Sequence, residues 1–147
     1  MSTGVRELRV WQEAVALAGE VIRAIRQGVR RETKSVSDSV MATAMAAGSH
    51  IADGYARPTS AEQREAYLAA KRALLRLETE LAVARHAELI PAAAFTELTA
   101  RSNHVARLLT GYLVYLDRQL ADGAARPSTP TRGPAAAITP DSVRVPS

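Results

Sequence analysis

Apolar residues recur at alternating steps of three and four along most of this chain, and such a pattern buries its side chains only as helices packed side by side. Between residues 7 and 30 the stripe reads Leu8, Trp11, Val15, Ala18, Ile22, Ile25 and Val29, which marks a first helix. Arg30-Arg31-Glu32-Thr33-Lys34-Ser35 breaks the pattern. Ser35 or Ser37 is placed to cap a second helix that carries Val40, Met41, Ala44, Ala47, Ile51 and Tyr55, with Gly54 and Pro58 ending it. Thr59 and Ser60 open a third helix with overlapping capping boxes, Thr59 with Glu62 and Ser60 with Gln63. Its stripe is Tyr67, Ala70, Leu74, Leu77, Leu81 and Ala84. The turn Ala87-Glu88-Leu89-Ile90-Pro91 leads to the last helix, with Pro91 where a missing N–H is tolerated. Phe95, Leu98, Ser102, Val105, Leu109, Tyr112 and Leu116 carry it to about Leu120.

Four such helices with short connections favour antiparallel neighbours, so the expected fold is all-α, an antiparallel up-down-up-down four-helix bundle. The bundle covers residues 7–121, after a flexible N-terminus at 1–6. Gly123, Pro127, Pro130, Gly133, Pro134, Pro140 and Pro146 punctuate residues 122–147, which are expected to be a disordered Pro/Ala-rich tail. No run approaches the roughly 18 apolar residues of a membrane span, and the N-terminus lacks the apolar core of a signal peptide. A soluble, cytoplasmic protein with no membrane partner is therefore expected.

The residues needed for several kinds of chemistry are missing. Cysteine is absent, which excludes disulfides, thiolate metal sites and cysteine nucleophiles. A carboxylate-bridged metal site in a bundle needs Glu-x-x-His on two helices, but Ala47, Val83 and Arg101 stand three residues before His50, His86 and His104. His50 and Asp53, one turn apart, supply two ligands at most and read as a hydrogen-bonded pair. There is neither a Gly-x-Ser-x-Gly elbow nor a phosphate-cradling glycine loop, and adjacent Ser49 and His50 point about 100° apart on a helix. The expectation is a non-enzyme with no catalytic residues, metal, cofactor or small-molecule substrate.

Lys and Arg total 19 against 15 acids, a net charge of +4 that permits an anionic partner without demanding one. Arg23, Arg26 and Arg30 share one side of the first helix by spacing, and Arg31 and Lys34 follow with only Glu32 opposing them. Such a cluster suits a sugar-phosphate backbone. Lys71, Arg72 and Arg76 form a weaker second cluster, and Arg101, His104 and Arg107 a third. The alternative is a solvated charged face, in which Arg76 and Glu80 are an ordinary i,i+4 pair.

Three segments carry a family resemblance across residues 8–120. Val10-Trp11-Gln12-Glu13-Ala14 resembles Val-Trp-Gln-x-Ala, and Ser49-His50-Ile51-Ala52-Asp53-Gly54-Tyr55-Ala56-Arg57 resembles Ser-Asn-Ile-Ala-Glu-Gly-x-x-Arg. Leu74-Leu75-Arg76-Leu77-Glu78-Thr79-Glu80-Leu81 resembles Ser-Leu-x-Glu-Leu-Glu-Thr-Gln-Leu. These are motifs of the 23S rRNA intervening-sequence protein family of four-helix bundles. The resemblance implies a bacterial protein that assembles as a homopentameric ring and associates with nucleic acid, RNA or single-stranded DNA, without catalysis. The chain is more distantly similar to the accessory variability proteins of diversity-generating retroelements, which implies a reverse transcriptase as a further partner. It departs from the family at His50 and Asp53, where asparagine and glutamate are usual, and at Met41-Ala42, where a basic pair is common.

Physical roles follow for the motif residues. Asp53 can accept from Arg57 or from a neighbouring subunit, while Gly48 and Gly54 allow close helix approach. Trp11 anchors a core or a subunit interface, and Glu78 is expected to pair with His50, Lys71 or Arg85. Two readings stand: an oligomeric nucleic-acid adaptor, and a structural or protein-interaction module whose charges only solvate it.

Overall fold

The computed structural model describes residues 4–125, which form four α-helices: α1 (Arg9–Ile25), α2 (Lys34–Ala56), α3 (Ser60–His86) and α4 (Ala92–Ala125). Single 3-10 turns, Val5–Glu7 and Arg31–Thr33, precede α1 and α2. Each helix packs on the next in sequence, and α4 returns to α1. Side-chain bridges give the directions. Ser39, early in α2, donates to Glu80 late in α3 (2.8 Å), while Gln63 at the start of α3 donates to the Arg57 carbonyl just past α2 (2.9 Å). Arg64 likewise pairs with Asp117, and Lys71 donates to Thr110 (3.0 Å), so α3 runs antiparallel to both neighbours. No helix among the described residues is long and apolar enough to cross a membrane.

The core is built from the expected residues in α2, α3 and α4, including Val40, Ile51, Tyr67, Leu77, Leu81 and Leu109, all buried. Burying each such side chain contributes roughly 1.5–3 kcal/mol. In α1 the buried face is displaced from the expected stripe: Val10, Ala14, Leu17 and Val21 are buried with Ala18 and Ile25, whereas Val15 and Val29 are exposed. Two overlapping three-four stripes run along this segment, and spacing alone does not choose between them.

Tertiary contacts move the helix boundaries. α1 ends at Ile25, well before residue 30, because the Gly28 backbone lies against the main chain of Leu89, where a Cβ would collide with the Leu89 carbonyl. α2 begins at Lys34, ahead of Ser35 and Ser37, which therefore lie inside it. The turn before it is closed by Thr33, whose hydroxyl accepts from the Arg30 N–H (3.1 Å) and whose own N–H donates to the Arg30 carbonyl (3.1 Å). Thr59 does cap α3, accepting the Glu62 N–H (3.2 Å). The Ser60–Gln63 box does not form, since the buried Gln63 side chain is taken by the end of α2.

α3 closes with the Leu89 N–H on the Ala84 carbonyl (2.8 Å) and the Glu88 N–H on the Arg85 carbonyl (3.0 Å). This is a Schellman ending, with Glu88 in the left-handed region (φ 65°). α4 continues past Leu120 to Ala125 through good helix formers such as Ala121 and Ala124. Beyond Ala125 the expected tail lies outside the described residues, as do residues 1–3 of the expected flexible N-terminus, whose Val5 and Arg6 belong to the first 3-10 turn.

Candidate functional site

The motif at the end of α2 is a packing joint. Gly54 is buried against α3, where a Cβ would stand 2.7 Å from Tyr67 Cε1 and 3.1 Å from Ala66 Cβ. Ile51 is buried and Ala52 half-buried beside it. Gly48 is different, because a Cβ there would meet Ala14 and Val15 only at ordinary contact distances of 3.9 and 4.0 Å. Asp53 pairs with Arg57 (3.0 Å), not with His50, since the i,i+4 guanidinium reaches the carboxylate. That hydrogen bond raises the Arg57 pKa further above its ordinary value. Ser49 donates to the Met45 carbonyl (3.2 Å) and is exposed. Trp11 is half-buried against the core. Glu78 is exposed and makes none of the three expected pairings: Lys71 bonds Thr110, the Arg85 guanidinium lies over the Phe95 ring (5.8 Å to the centroid), and His50 faces a different groove.

The first basic cluster is rearranged by the early end of α1. Arg23 remains on the helix and is paired with Glu20 (3.1 Å), which also holds Arg101 (3.5 Å). Lys34 is paired with Asp38 (2.8 Å). Arg26 caps α1, whereas Arg30 and Arg31 sit on the connecting turn, so the three arginines do not form one continuous helical face. Arg26, Arg30 and Arg31 are exposed and have no acidic partner among the described residues. The fold adds two groups to them. α1 and α3 end at the same end of the bundle, and the contact of Gly28 with Leu89 brings the α3–α4 turn, with exposed Arg85 and His86, against the α1–α2 turn. Sequence reasoning missed Arg85 and His86, although the up-down topology itself implies that the two turns share an end. Glu32 and Glu88 are the exposed acids on those turns. Cations at these helix C-termini also complement the helix dipoles.

The second cluster is split by α3. Lys71 points to α4 through Thr110, while Arg72 and Arg76 line a groove against α2 together with His50. Arg76 is bound to Glu80 (3.3 Å), as its spacing suggests, and Arg72 has no acidic partner among the described residues. In the third cluster Arg101 is committed to Glu20, His104 is half-buried and Arg107 exposed. Among the described residues no group of three His, Asp or Glu side chains gathers to hold a metal ion.

Residues 6–111 match the family model described as 23S rRNA-intervening sequence protein. No curated protein and no solved structure matches the chain.

Proposed function

We propose that this chain, which belongs to the 23S rRNA-intervening sequence protein family, is a non-enzymatic, self-associating adaptor that binds the phosphate backbone of RNA or single-stranded DNA. The observation that carries the reading is the basic end of the bundle, where unpaired Arg26, Arg30 and Arg31 adjoin Arg85 and His86 from the opposite turn. Guanidinium groups carried on two adjoining turns suit successive phosphates, which lie along a strand at regular spacing. The modest charge of one copy is offset by assembly, because each added copy converts further contacts into intramolecular ones. Self-association is supported by the side of the bundle where α1 meets α2, away from α3, built from stretches 14–19 and 39–52 that contain no Asp, Glu, Lys or Arg. Val15 and Met45 are exposed there, at 46% and 51%. A ring of five is the proposed form.

Gel shifts with structured RNA and with single-stranded DNA at low and moderate salt test the proposal. Binding is expected at low salt and falls steeply as salt rises. Changing Arg26, Arg30 and Arg31 together to Glu is expected to abolish it while helicity and light-scattering mass stay unchanged. No binding at low salt, or full binding by the triple variant, overturns the reading, and a monomeric mass removes its multivalent part.

A further inference from the structure

We infer that the groove between α2 and α3 is a phosphate-binding subsite in which His50 and Arg72 are the donors. It rests on the preceding reading only for the source of the phosphate.

The groove is lined by Thr43, Ala46 and His50 from α2 and by Arg72, Ala73 and Arg76 from α3, and its volume is about 280 Å³. That lies just below the usual range of pockets for drug-sized ligands, roughly 300–1,000 Å³, and suits a phosphate with part of an attached sugar. Alanines at positions 46 and 73 keep the facing helix edges short, which opens the groove while cations stand beside it. Two acids flanking the groove are already occupied, while Glu65 and Glu78 of α3 are exposed. At one end Glu80 accepts from Ser39 (2.8 Å) and from Arg76 (3.3 Å). At the other, Asp53 is held by Arg57 (3.0 Å).

Between these satisfied carboxylates Arg72 remains exposed and unpaired, and His50 is half-buried with no hydrogen-bond partner among the described residues. A guanidinium offers a planar fork of donors that matches phosphate oxygens, and an imidazole offers at least one N–H in either tautomer. Arg76, fixed by Glu80 through Nε, keeps its terminal nitrogens for the same anion. Thr43, itself buried, adds a hydroxyl to the lining. The arrangement gives His50 a role that pairing with Asp53 does not provide.

The experiment is an NMR titration of the full ¹⁵N-labelled chain at constant ionic strength, with chloride replaced in separate arms by inorganic phosphate, by a nucleoside monophosphate and by a short oligothymidylate. Saturable shifts of the His50 ring and Arg72 Nε signals are expected. Arg72→Ala is expected to weaken phosphate binding about tenfold, the loss typical of one charge-assisted hydrogen bond. Arg72→Glu abolishes it, and His50→Asn, which keeps a donor, retains most of it. Absence of saturable shifts, or unchanged phosphate binding by Arg72→Glu in a folded protein, overturns the subsite. If Arg72→Glu loses phosphate but not the oligonucleotide, the subsite stands and its ligand is a free phosphate. If the Arg26, Arg30 and Arg31 variant keeps both, the subsite stands and the adaptor reading fails.

Discussion

At the scale of single residues, the two glycines of the α2 motif do opposite things. Gly54 leaves room for the Tyr67 ring, so Gly54→Ala overpacks a buried contact and is expected to cost about 2 kcal/mol in urea unfolding. Gly48 has ordinary space around the missing methyl, so Gly48→Ala is expected to stabilise by up to about 1 kcal/mol through helix propensity. Equal effects at the two positions would show that close helix approach is not what Gly54 provides. The Asp53–Arg57 pair was readable from sequence, because its partners are one turn apart on one helix. The reason for Gly54 was not, because Tyr67 lies on the next helix and only the packed bundle brings its ring there. Glu78 shows the same limit: charge and spacing offer it several partners, and its exposed place on α3 pairs it with none of them.

At the scale of elements, the stripes of α2, α3 and α4 and the Thr59 cap were legible, since each depends on residues within a few turns of one another. The end of α1 was not, because its apolar spacing continues through Val29 while a contact from the distant α3–α4 turn stops it. That turn carries a local cost. Glu88 occupies the left-handed position where a side chain is crowded and glycine is not. Glu88→Gly is expected to raise stability by about 1 kcal/mol, seen as a higher denaturation midpoint at an unchanged slope. A lower midpoint would mean that the Glu88 side chain contributes more than its backbone strain costs.

For the whole molecule, burial of tyrosine hydroxyls makes stability depend on alkaline pH. The Tyr67 ring is fully buried, 6.2 Å from the Tyr112 ring between centroids, and its hydroxyl has no hydrogen-bond partner among the described residues. Burial raises the Tyr67 pKa strongly, with smaller contributions from Tyr112 and Tyr55, and burial raises that of Tyr115 as well. Below pH ~10, the ordinary tyrosine value, folded and unfolded chains hold the same phenolic protons. Above it the unfolded chain releases them first, so Tyr67 is expected to lower stability by about 1.4 kcal/mol per pH unit. Tyr67→Phe removes that share of the slope and leaves the share of Tyr115. At pH 7 the variant is expected to be at least as stable as the parent, because the lost hydroxyl had no partner. Unchanged alkaline curves in urea titrations between pH 8 and pH 11 would refute this account of the core.

The seating of Gly28 on the Leu89 main chain has a consequence for recognition as well as for helix length. Two turns far apart in sequence are riveted into one surface, so the backbone positions that carry these cations are set before any strand arrives. A strand meeting that surface would not have to order a loose loop, and the entropy usually lost in doing so drops out of the association. Under the proposed adaptor role, spacing along the nucleic acid, more than its sequence, is what this end of the bundle would measure.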